Sequence, residues 1–431
     1  MTCRAVPSSG FALALALLCL MLISVGVAAG NDSEDLIASP EPDWPQWRGP
    51  RRDGISDEKN LLQSWPAAGP TLLWKTNGLG TGWSSPIIVG DRLYITGDVG
   101  TDLVIFALDH NGKVRWQAKN GRAWLTPYPG ARACCVYSEG RLYHLNAHGR
   151  LARFDAGSGR ELWAIDILER FGGRNITWAV SECLLVDGPR VIVTPGGTKA
   201  LMAALDKGTG ETIWTTPPLG TDRTSHSSPI LLRYASQRLI ANCSSAHGFG
   251  IEADTGKLLW TVPLTNPHGV NVATPIYGAG CLFFVTPYAE HGRLYRLHAD
   301  AGAIDPEHMW TSPIDTVTGC GVLIDGTLFA SGYREVKHWL GIDWQTGRTK
   351  CELKDLTTGA AIYADGRLYV LDEEGTAALL KPGPNSLDIV SRFCLTAAPG
   401  HDAWAHPVLC NSRLYLRYHD TLWCYDVKDR R

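Results

Sequence analysis

LMAALDKGTGETIW, from Leu201 to Trp214, decides the fold, because variants of this stretch recur along the chain. The variants are FALDHNGKVRW from Phe106, ARFDAGSGRELW from Ala152, GIEADTGKLLW from Gly250 and, more loosely, GIDWQTGRTKC from Gly341. One phrase that returns every few tens of residues is typical of a repeat architecture. The repeat therefore predicts a closed array of similar units rather than a set of unrelated domains.

Each copy of the phrase predicts two antiparallel strands joined by a tight turn. Apolar residues lead to an Asp that can accept backbone N–H groups, and a Gly that tolerates positive φ follows it. The second strand carries a Trp. We expect a structural role for these docking residues, which are Trp74, Trp116, Trp163, Trp214, Trp260, Trp310, Asp109, Asp155, Asp206, Asp254 and Asp343.

A second hairpin precedes the first in most repeats, as in SSPIIVGDRLYITG from Ser84 and GAAIYADGRLYVLD from Gly359. Period-two apolar residues flank a two-residue turn in each of them, so two hairpins together make one four-stranded antiparallel unit. With Cys351 and Phe393 in the equivalent places, the Trp positions are spaced by about 46 residues, which is the length of one propeller blade. The eight positions predict an all-β, eight-bladed β-propeller.

The two ends of the chain predict how the ring closes. Trp74 lacks the three strands that should precede it in its own unit, whereas the last unit stops after three strands. We therefore expect the strand around Leu72 to Lys75 to complete the last blade, because this pairing removes exposed sheet edges.

The N-terminal residues predict export. In residues 1–29 the apolar run FALALALLCLMLISVGVAA follows Arg4 and ends in small residues, as in a secretory signal peptide. The run is also long enough to span a bilayer, so an uncleaved anchor is the alternative. Residues 30–42 predict a linker, residues 43–70 a Trp- and Pro-rich pad on the body, and residues 71–431 the propeller. We expect an exported monomer, periplasmic or associated with the cell envelope.

Composition argues against several classes of function. The 431 residues include 40 Lys and Arg against 43 Asp and Glu, with a formal net charge of -3 and no basic block, so nucleic-acid binding is not expected. The 12 cysteines permit disulfides in an oxidising compartment. No C-x-x-C, C-x-x-C-H or H-E-x-x-H motif supports a zinc site or an attached haem.

The phrase ALDKGTGETIW resembles the tryptophan-docking repeat A-x-D-x-x-T-G-x-x-x-W of the pyrroloquinoline-quinone (PQQ) propeller superfamily. The resemblance extends from about Trp44 to the C-terminus and includes DWPQWRGP from Asp43 and the segment Glu169 to Gly197. It implies an eight-bladed PQQ-binding-like propeller. The superfamily contains both quinoprotein alcohol dehydrogenases and the non-catalytic propeller lipoprotein of the outer-membrane barrel-assembly machinery, so the resemblance leaves the activity open.

An adjacent pair of cysteines is the sharpest candidate for quinoprotein chemistry. In the resembling enzymes a disulfide between adjacent cysteines covers one face of PQQ, while a cation and an Asp base complete the site. Cys134 and Cys135 are such a pair. Alignment by the repeat places them in ordinary strand positions, where cysteine acts as a small buried residue, so a structural role is the stronger interpretation.

One position of the repeat, called a slot below because equivalent residues of different blades occupy it, raises the possibility of a metal site. Cys134, Cys183, Cys320 and His406 share this slot near the channel end of their blades, and soft thiolates with an imidazole suit zinc or copper(I). They come from blades spread around a wide channel, so we expect no metal site.

The channel mouth is the other place where a ligand is expected. Trp83, Glu182, His226 and Trp404 stand near the start of their blades, and Arg132 adds a charge. Longer connections should gather at the faces, where loops carry function; they are residues 123–132, 167–178 and 217–225. The candidate cofactor-binding residues are therefore Cys134, Cys135, Trp83, Trp404, Glu182 and His226.

No catalytic residue is assigned, because the sequence lacks a Ser-His-Asp elbow, a phosphate-binding Gly loop and a local pair of carboxylates. We expect a non-catalytic propeller that binds or scaffolds an envelope protein or polymer, with no cofactor. The alternatives are a PQQ- and calcium-dependent dehydrogenase of an alcohol or sugar, and an outer-membrane protein assembly factor.

Overall fold

The computed structural model describes residue 2 and residues 35–288, 291–396 and 400–430. Within them the chain forms eight four-stranded antiparallel sheets and one short helix. The predicted all-β, eight-bladed propeller is confirmed. The predicted signal peptide, apart from residue 2, and residues 30–34 of the predicted linker lie outside the described residues.

Blades 1 to 4 follow the first strand of the chain, which is β1 (Thr71–Thr76). Blade 1 contains β2 (Ile87–Val89), β3 (Arg92–Val99), β4 (Asp102–Asp109) and β5 (Val114–Arg122). Blade 2 contains β6 (Val136–Ser138), β7 (Arg141–Leu145), β8 (Arg150–Asp155) and β9 (Glu161–Asp166), followed by α1 (Ile167–Phe171). Blade 3 contains β10 (Leu185–Asp187), β11 (Arg190–Val193), β12 (Ala203–Asp206) and β13 (Thr212–Thr215). Blade 4 contains β14 (Ile230–Tyr234), β15 (Gln237–Cys243), β16 (His247–Glu252) and β17 (Leu258–Pro263).

Blades 5 to 8 repeat this order. Blade 5 contains β18 (Ile276–Gly278), β19 (Cys281–Thr286), β20 (His291–Asp300) and β21 (Ala303–Ser312). Blade 6 contains β22 (Val322–Ile324), β23 (Thr327–Ser331), β24 (Trp339–Asp343) and β25 (Thr349–Leu353). Blade 7 contains β26 (Gly359–Ala364), β27 (Arg367–Asp372), β28 (Thr376–Pro382) and β29 (Leu387–Cys394). Blade 8 contains β30 (Val408–Cys410), β31 (Arg413–Tyr418), β32 (Thr421–Asp426) and β1.

Both ends of the chain contribute to blade 8. β1 pairs antiparallel with β32, with Thr71 opposite Asp426 and Thr76 opposite Leu422. This confirms the predicted closure. Because the last sheet needs the first strand, the ring cannot open without breaking that ladder.

Tryptophans on the outermost strands dock onto the turn of the next blade. The indole N–H of Trp74 donates to the carbonyl oxygen of His110 at 2.9 Å, and that of Trp116 donates to Ala156 at 3.1 Å. Gly112, with φ +78°, lies so close to Trp74 that an added Cβ would meet the ring at 2.5 Å. The glycine is therefore required both by the turn and by the docked ring.

Four of the five predicted turn carboxylates accept backbone N–H groups. Asp206 accepts from Gly208 and Thr209, both at 2.8 Å. These bonds lower the pKa of Asp206 below its ordinary value, the bond from Thr209 having the largest effect. The same arrangement recurs at Asp109, Asp155 and Asp343.

Asp254 differs from the sequence expectation. The turn position in blade 4 belongs to Glu252, two residues earlier, whose carbonyl oxygen accepts the N–H of Gly256 as the Asp206 carbonyl accepts that of Gly210. Asp254 instead pairs with Arg190 at 2.9 Å and with Arg238 at 2.6 Å. The reason is that this copy of the repeat carries an acidic residue at both positions, so the motif alone does not fix the register.

Residues 35–62, called the N-terminal segment below, contact all eight blades. Leu36 bridges Leu232 in blade 4, Trp44 bridges Ile88 in blade 1 and Ile55 bridges Tyr363 in blade 7. The other contacts are hydrogen bonds to Tyr137 of blade 2, Leu184 of blade 3, Thr274 of blade 5, Gly321 of blade 6 and Ser412 of blade 8.

The N-terminal segment spans the central channel. Trp44 lies on blade 1 and Trp47 on blade 5, which face each other across an eight-membered ring. Arg48 reaches blade 6 and Arg52 reaches blade 3, which lie three positions apart around the ring, and each arginine is only 3% exposed. Their guanidinium groups donate to backbone carbonyls next to β22 and β10, which satisfies acceptors that burial would otherwise leave unpaired. One end of the channel is thereby covered by the chain's own residues.

Candidate functional site

A cavity of about 270 Å³ opens on the channel. Most of its lining comes from the residues that precede the first strands of the blades, and Trp47 of the N-terminal segment also contributes. The indole N–H of Trp47 donates to Thr274 at 3.0 Å, and its ring lies 4.3 Å from that of His406. A ligand that enters the cavity would therefore meet the N-terminal segment at the inner end.

One wall of the cavity consists of aromatic rings and Arg132. The ring centroids of Trp83 and Trp404 lie 4.8 Å apart at an interplanar angle of 36°, and Tyr128 lies 5.8 Å from Trp404. The Arg132 guanidinium lies 5.1 Å from the Trp83 ring and donates to the carbonyl oxygens of Gly130 and Tyr128, both at 2.6 Å. Burial lowers the pKa of Arg132 to about 10, so the group is still cationic at neutral pH.

A second wall repeats this chemistry. Tyr288 makes edge-on contacts with His268 at 4.7 Å and with Tyr333 at 6.5 Å, and Trp178 contacts His268 at 5.5 Å. The Arg334 guanidinium lies 4.6 Å from the Tyr288 ring. The aromatic side chains therefore form tilted faces, with a cation on each wall.

Buried polar atoms of the lining residues that have no hydrogen-bond partner within the described residues include Ser181 Oγ, His226 Nε2 and Thr318 Oγ1. Burial, followed by the charge of Arg132, lowers the pKa of His226 to about 3, so its imidazole is neutral. Buried polar groups are nearly always paired with protein or ordered water. A bound molecule could form hydrogen bonds with these groups once their side chains turn toward the cavity.

Residues 101–350 match the family model described as outer membrane protein assembly factor BamB. The chain belongs to this family. Among curated proteins it is similar to the outer membrane protein assembly factor BamB of Yersinia pestis, at 22% identity over 253 residues, which cover 54% of this chain and 59% of that protein. It is also similar to the lanthanide-dependent methanol dehydrogenase of Methylacidiphilum fumariolicum (strain SolV), at 24% over 216 residues, 46% of this chain and 34% of that protein. The match thus spans less than two thirds of either relative.

Solved structures support the fold of this BamB-family chain. BamB from Moraxella catarrhalis superimposes with a TM-score of 0.61 at 15% identity, covering 83% of this chain and 99% of that chain. The quinohemoprotein alcohol dehydrogenase from Comamonas testosteroni gives 0.60 at 14% identity, covering 91% and 82%. Because the fold is shared by proteins with different names and roles, it does not decide the function.

The structure divides the six candidate cofactor-binding residues of this BamB-family chain into two groups. Trp83, Trp404 and His226 line the cavity. Cys134 and Cys135 lie behind its wall, each 2% exposed and with a free thiol. As ligand contacts, all of these residues stay predictions.

Glu182, the sixth candidate, is also buried behind the wall. Its carboxylate accepts the N–H of Thr194 at 2.8 Å and the hydroxyl of the same residue at 2.7 Å. Burial raises the pKa of Glu182 to about 7, against the effect of these hydrogen bonds. The carboxylate is therefore bonded to Thr194 of blade 3 and to Asn242 of blade 4, and Glu182 is not part of the cavity lining.

Several residues of the lining were not predicted from the sequence. The clearest signal was the length of the connections, since Tyr128 and Trp178 belong to two of the three long loops that were expected at a face. Trp47 belongs to the predicted pad, but nothing local in its sequence shows that it reaches blade 5. The remaining aromatic residues come from connections that the sequence pattern did not single out; they are His268, Tyr288 and Tyr333.

The cavity lining does not fit a calcium or lanthanide site. Hard cations of this kind need several oxygen ligands, usually carboxylates, and the residues that line the cavity include neither Asp nor Glu. In the described part of the chain, no cluster of three or more His, Cys, Asp or Glu side chains could hold a metal ion. The carboxylates Glu373, Glu374 and Asp402 line an adjoining pocket of about 750 Å³.

Among the described residues, no helix has both the length and the apolar character needed to span a bilayer.

Proposed function

We propose that this protein is an exported, non-catalytic binding propeller of the cell envelope and that its ligand occupies the channel-mouth cavity. The observation that carries the proposal is a cavity whose lining residues Ser181, His226 and Thr318 each hold a buried polar atom without a hydrogen-bond partner. Leaving such an atom without a partner costs about 1–3 kcal/mol. A ligand that supplies the missing hydrogen bonds would recover part of that free energy.

The walls favour an acidic saccharide, such as a segment of an envelope polymer. The C–H faces of a sugar ring are apolar and can pack on the tilted rings of Trp83, Trp404 and Tyr288. Its hydroxyl groups suit the unpaired atoms of the lining. A carboxylate on the sugar suits the positive charges of Arg132 and Arg334. At Arg132 the attraction is one of charge, because its N–H groups already donate to the carbonyl oxygens of Gly130 and Tyr128.

The protonation chemistry of the lining supports binding over catalysis. Oxidation of an alcohol needs a base that accepts the hydroxyl proton, and the best bases have a pKa near the working pH. His226 lines the cavity, but its pKa of about 3 makes it a weak base. Together with the lining's lack of carboxylates, this favours a ligand that is held and not transformed.

The test is a titration of the full chain with a glucuronate-containing disaccharide and with the matched neutral disaccharide. Calorimetry and tryptophan fluorescence report on binding. We expect the acidic sugar to bind about tenfold more tightly, and Arg132→Gln to remove that preference. Arg115→Gln on the exposed part of β5 is the matched control and should leave the affinity unchanged. The proposal would be contradicted if neither sugar bound and the protein did not co-sediment with an insoluble envelope polymer fraction.

A PQQ-dependent dehydrogenase is a second candidate, favoured by the 24% identity to the lanthanide-dependent methanol dehydrogenase. The test is addition of PQQ with calcium or with a lanthanide, followed by alcohol-dependent reduction of an artificial electron acceptor. Saturable binding of PQQ with turnover would replace the binding proposal. If PQQ does not bind and no turnover is detected, the dehydrogenase is excluded.

An assembly factor for outer-membrane proteins is a third candidate, favoured by the BamB family match over residues 101–350. Such a role requires a protein partner in the envelope. Chemical crosslinking in envelope fractions, with the crosslinked chains identified by mass spectrometry, tests it. Recovery of outer-membrane assembly proteins would support this role, and a crosslink pattern equal to that of an unrelated exported protein would exclude it.

A further inference from the structure

Two buried thiols from neighbouring blades lie in contact at the cavity wall. Cys134 precedes β6 of blade 2, and Cys183 precedes β10 of blade 3. The backbone N–H of Cys134 donates to the sulfur of Cys183 at 3.2 Å, so the two residues are in contact. The two residues are 2% and 5% exposed.

The surroundings of Cys183 lower the pKa of its thiol. Burial raises the pKa of Cys183, but the hydrogen bonds from the thiol and N–H of Cys134, the charge of Arg52 and the hydroxyl of Ser228 together bring it below its ordinary value. Burial, followed by the interaction with Cys183, raises the pKa of Cys134 instead. The pair thus consists of one thiol that gives its hydrogen bond and one sulfur that receives it, which is the arrangement of a nucleophile and its partner.

Only one thiol of the pair faces the cavity. Cys183 is part of the lining, whereas Cys134 is not. A reagent that enters the channel mouth therefore meets Cys183 first, and Cys134 stands where it can react with whatever forms on that sulfur.

The repeat supplies an internal comparison. Cys320 occupies the slot of blade 6 that Cys183 occupies in blade 3, and its sulfur accepts the N–H of Thr274 at 3.3 Å. Cys320 also lines the cavity. The residue of the neighbouring blade that contacts Cys320 is a threonine and not a cysteine. Comparing Cys320 with Cys183 therefore separates the effect of access from the cavity from the effect of a second thiol.

We propose that Cys183 is the reactive thiol of this protein and that it forms a disulfide with Cys134 that links blades 2 and 3. The co-reactant is a small-molecule disulfide. The Cys183 thiolate attacks one of its sulfurs, a mixed disulfide forms and one small thiol leaves. Cys134 then loses its proton and attacks the Cys183 sulfur, which releases the second small thiol. Two cysteine thiols are oxidised by two electrons, and the added disulfide is reduced to two thiols.

This inference concerns a different pair from Cys134 and Cys135, which the PQQ resemblance suggested. It also does not depend on the ligand proposed above, because the linkage needs only the contact between the blades and access through the mouth. The absence of saccharide binding and the absence of disulfide formation are therefore separate outcomes.

The experiment treats the full, reduced chain with hydroxyethyl disulfide, blocks the remaining thiols under denaturing conditions and maps tryptic peptides without reduction. We expect a linkage between residues 133–141 and 175–190, the peptides that contain the two cysteines. In Cys134→Ser, Cys183 should instead accumulate as the mixed disulfide. Serine already fills this slot at Ser85 and Ser228, so the variant is expected to fold; thermal unfolding checks this.

Three controls decide the assignment. Cys135→Ser should leave the linkage intact, which excludes Cys135 as the partner because it shares a peptide with Cys134. Cys183→Ser should abolish it. Cys320 should react about tenfold or more slowly than Cys183, because it lacks a thiol donor. A linkage between Cys134 and Cys135, a free Cys183 after treatment, or equal rates at Cys183 and Cys320 would overturn the proposal.

Discussion

Arg52 donates a hydrogen bond of 2.7 Å to the carbonyl oxygen of Cys183, and this bond joins the N-terminal segment to the wall of the cavity. A second nitrogen of the same guanidinium donates to Leu184 at 2.9 Å. Burial lowers the pKa of Arg52 to about 10, so the group keeps its charge at neutral pH. The hydrogen bonds of Arg52 thus link the N-terminal segment, which covers one end of the channel, to the wall of the cavity at the channel mouth.

Replacing this arginine should weaken both features. Arg52→Met removes the donors to two buried carbonyl oxygens and is expected to lower the free energy of unfolding by about 2–4 kcal/mol. Urea unfolding followed by tryptophan fluorescence measures it. Arg160→Met, at an exposed turn position, is the control and should change stability by less than about 0.5 kcal/mol. Equal stability of the two variants would show that the N-terminal segment does not support the fold.

The docking tryptophans can be tested at Trp310, which is 8% exposed and donates to the carbonyl oxygen of Trp344 at 3.0 Å. Trp310→Ala should cost about 3–5 kcal/mol, because it leaves a cavity between blades 5 and 6. Trp310→Phe should cost less, since Phe393 fills the equivalent position of blade 7. Thermal and urea unfolding measure both variants. Equal losses in both would mean that the indole hydrogen bond, and not packing, dominates.

The raised pKa of Glu182 predicts a loss of stability as pH rises. Burial holds its pKa at about 7 in the folded chain, above the ordinary value of 4.5, so the folded state binds this proton more tightly than the unfolded state. The contribution is complete below pH 4.5 and is lost between about pH 4.5 and pH 7, by up to about 3 kcal/mol. Glu182→Gln should remove this dependence, whereas Glu161→Gln on β9 should keep it. Parallel pH profiles of wild type and Glu182→Gln would disprove the assignment.

His144 predicts the opposite slope over nearly the same range. Burial lowers its pKa to about 4, from an ordinary value of 6.5, so the unfolded state binds the proton more tightly. Stability should fall by up to about 3 kcal/mol as pH drops from 6.5 to 4. Proton NMR of the imidazole should show no titration above pH 5. A midpoint near 6.5 would mean that His144 is solvated in solution.

Hairpin patterns, which are local in sequence, were enough to predict the blades. Period-two strands, two-residue turns and the docking Trp lie within one repeat, so their positions did not depend on the rest of the ring. The register of Asp254 was wrong because two acidic residues compete within the same short turn. Glu182 was expected to face the channel mouth, but it is buried behind the cavity wall. The direction of a side chain depends on the twist of its blade.

The sequence by itself determined the number of blades, the docking of Trp74 and the closure of blade 8 by the first strand. Only the tertiary structure decided which residues meet across the channel, including Cys134 with Cys183 and Trp47 with Thr274. The physical reason is range: a repeat encodes pairing between strands that are neighbours along the chain. Contacts around and across the ring arise only when all eight blades close.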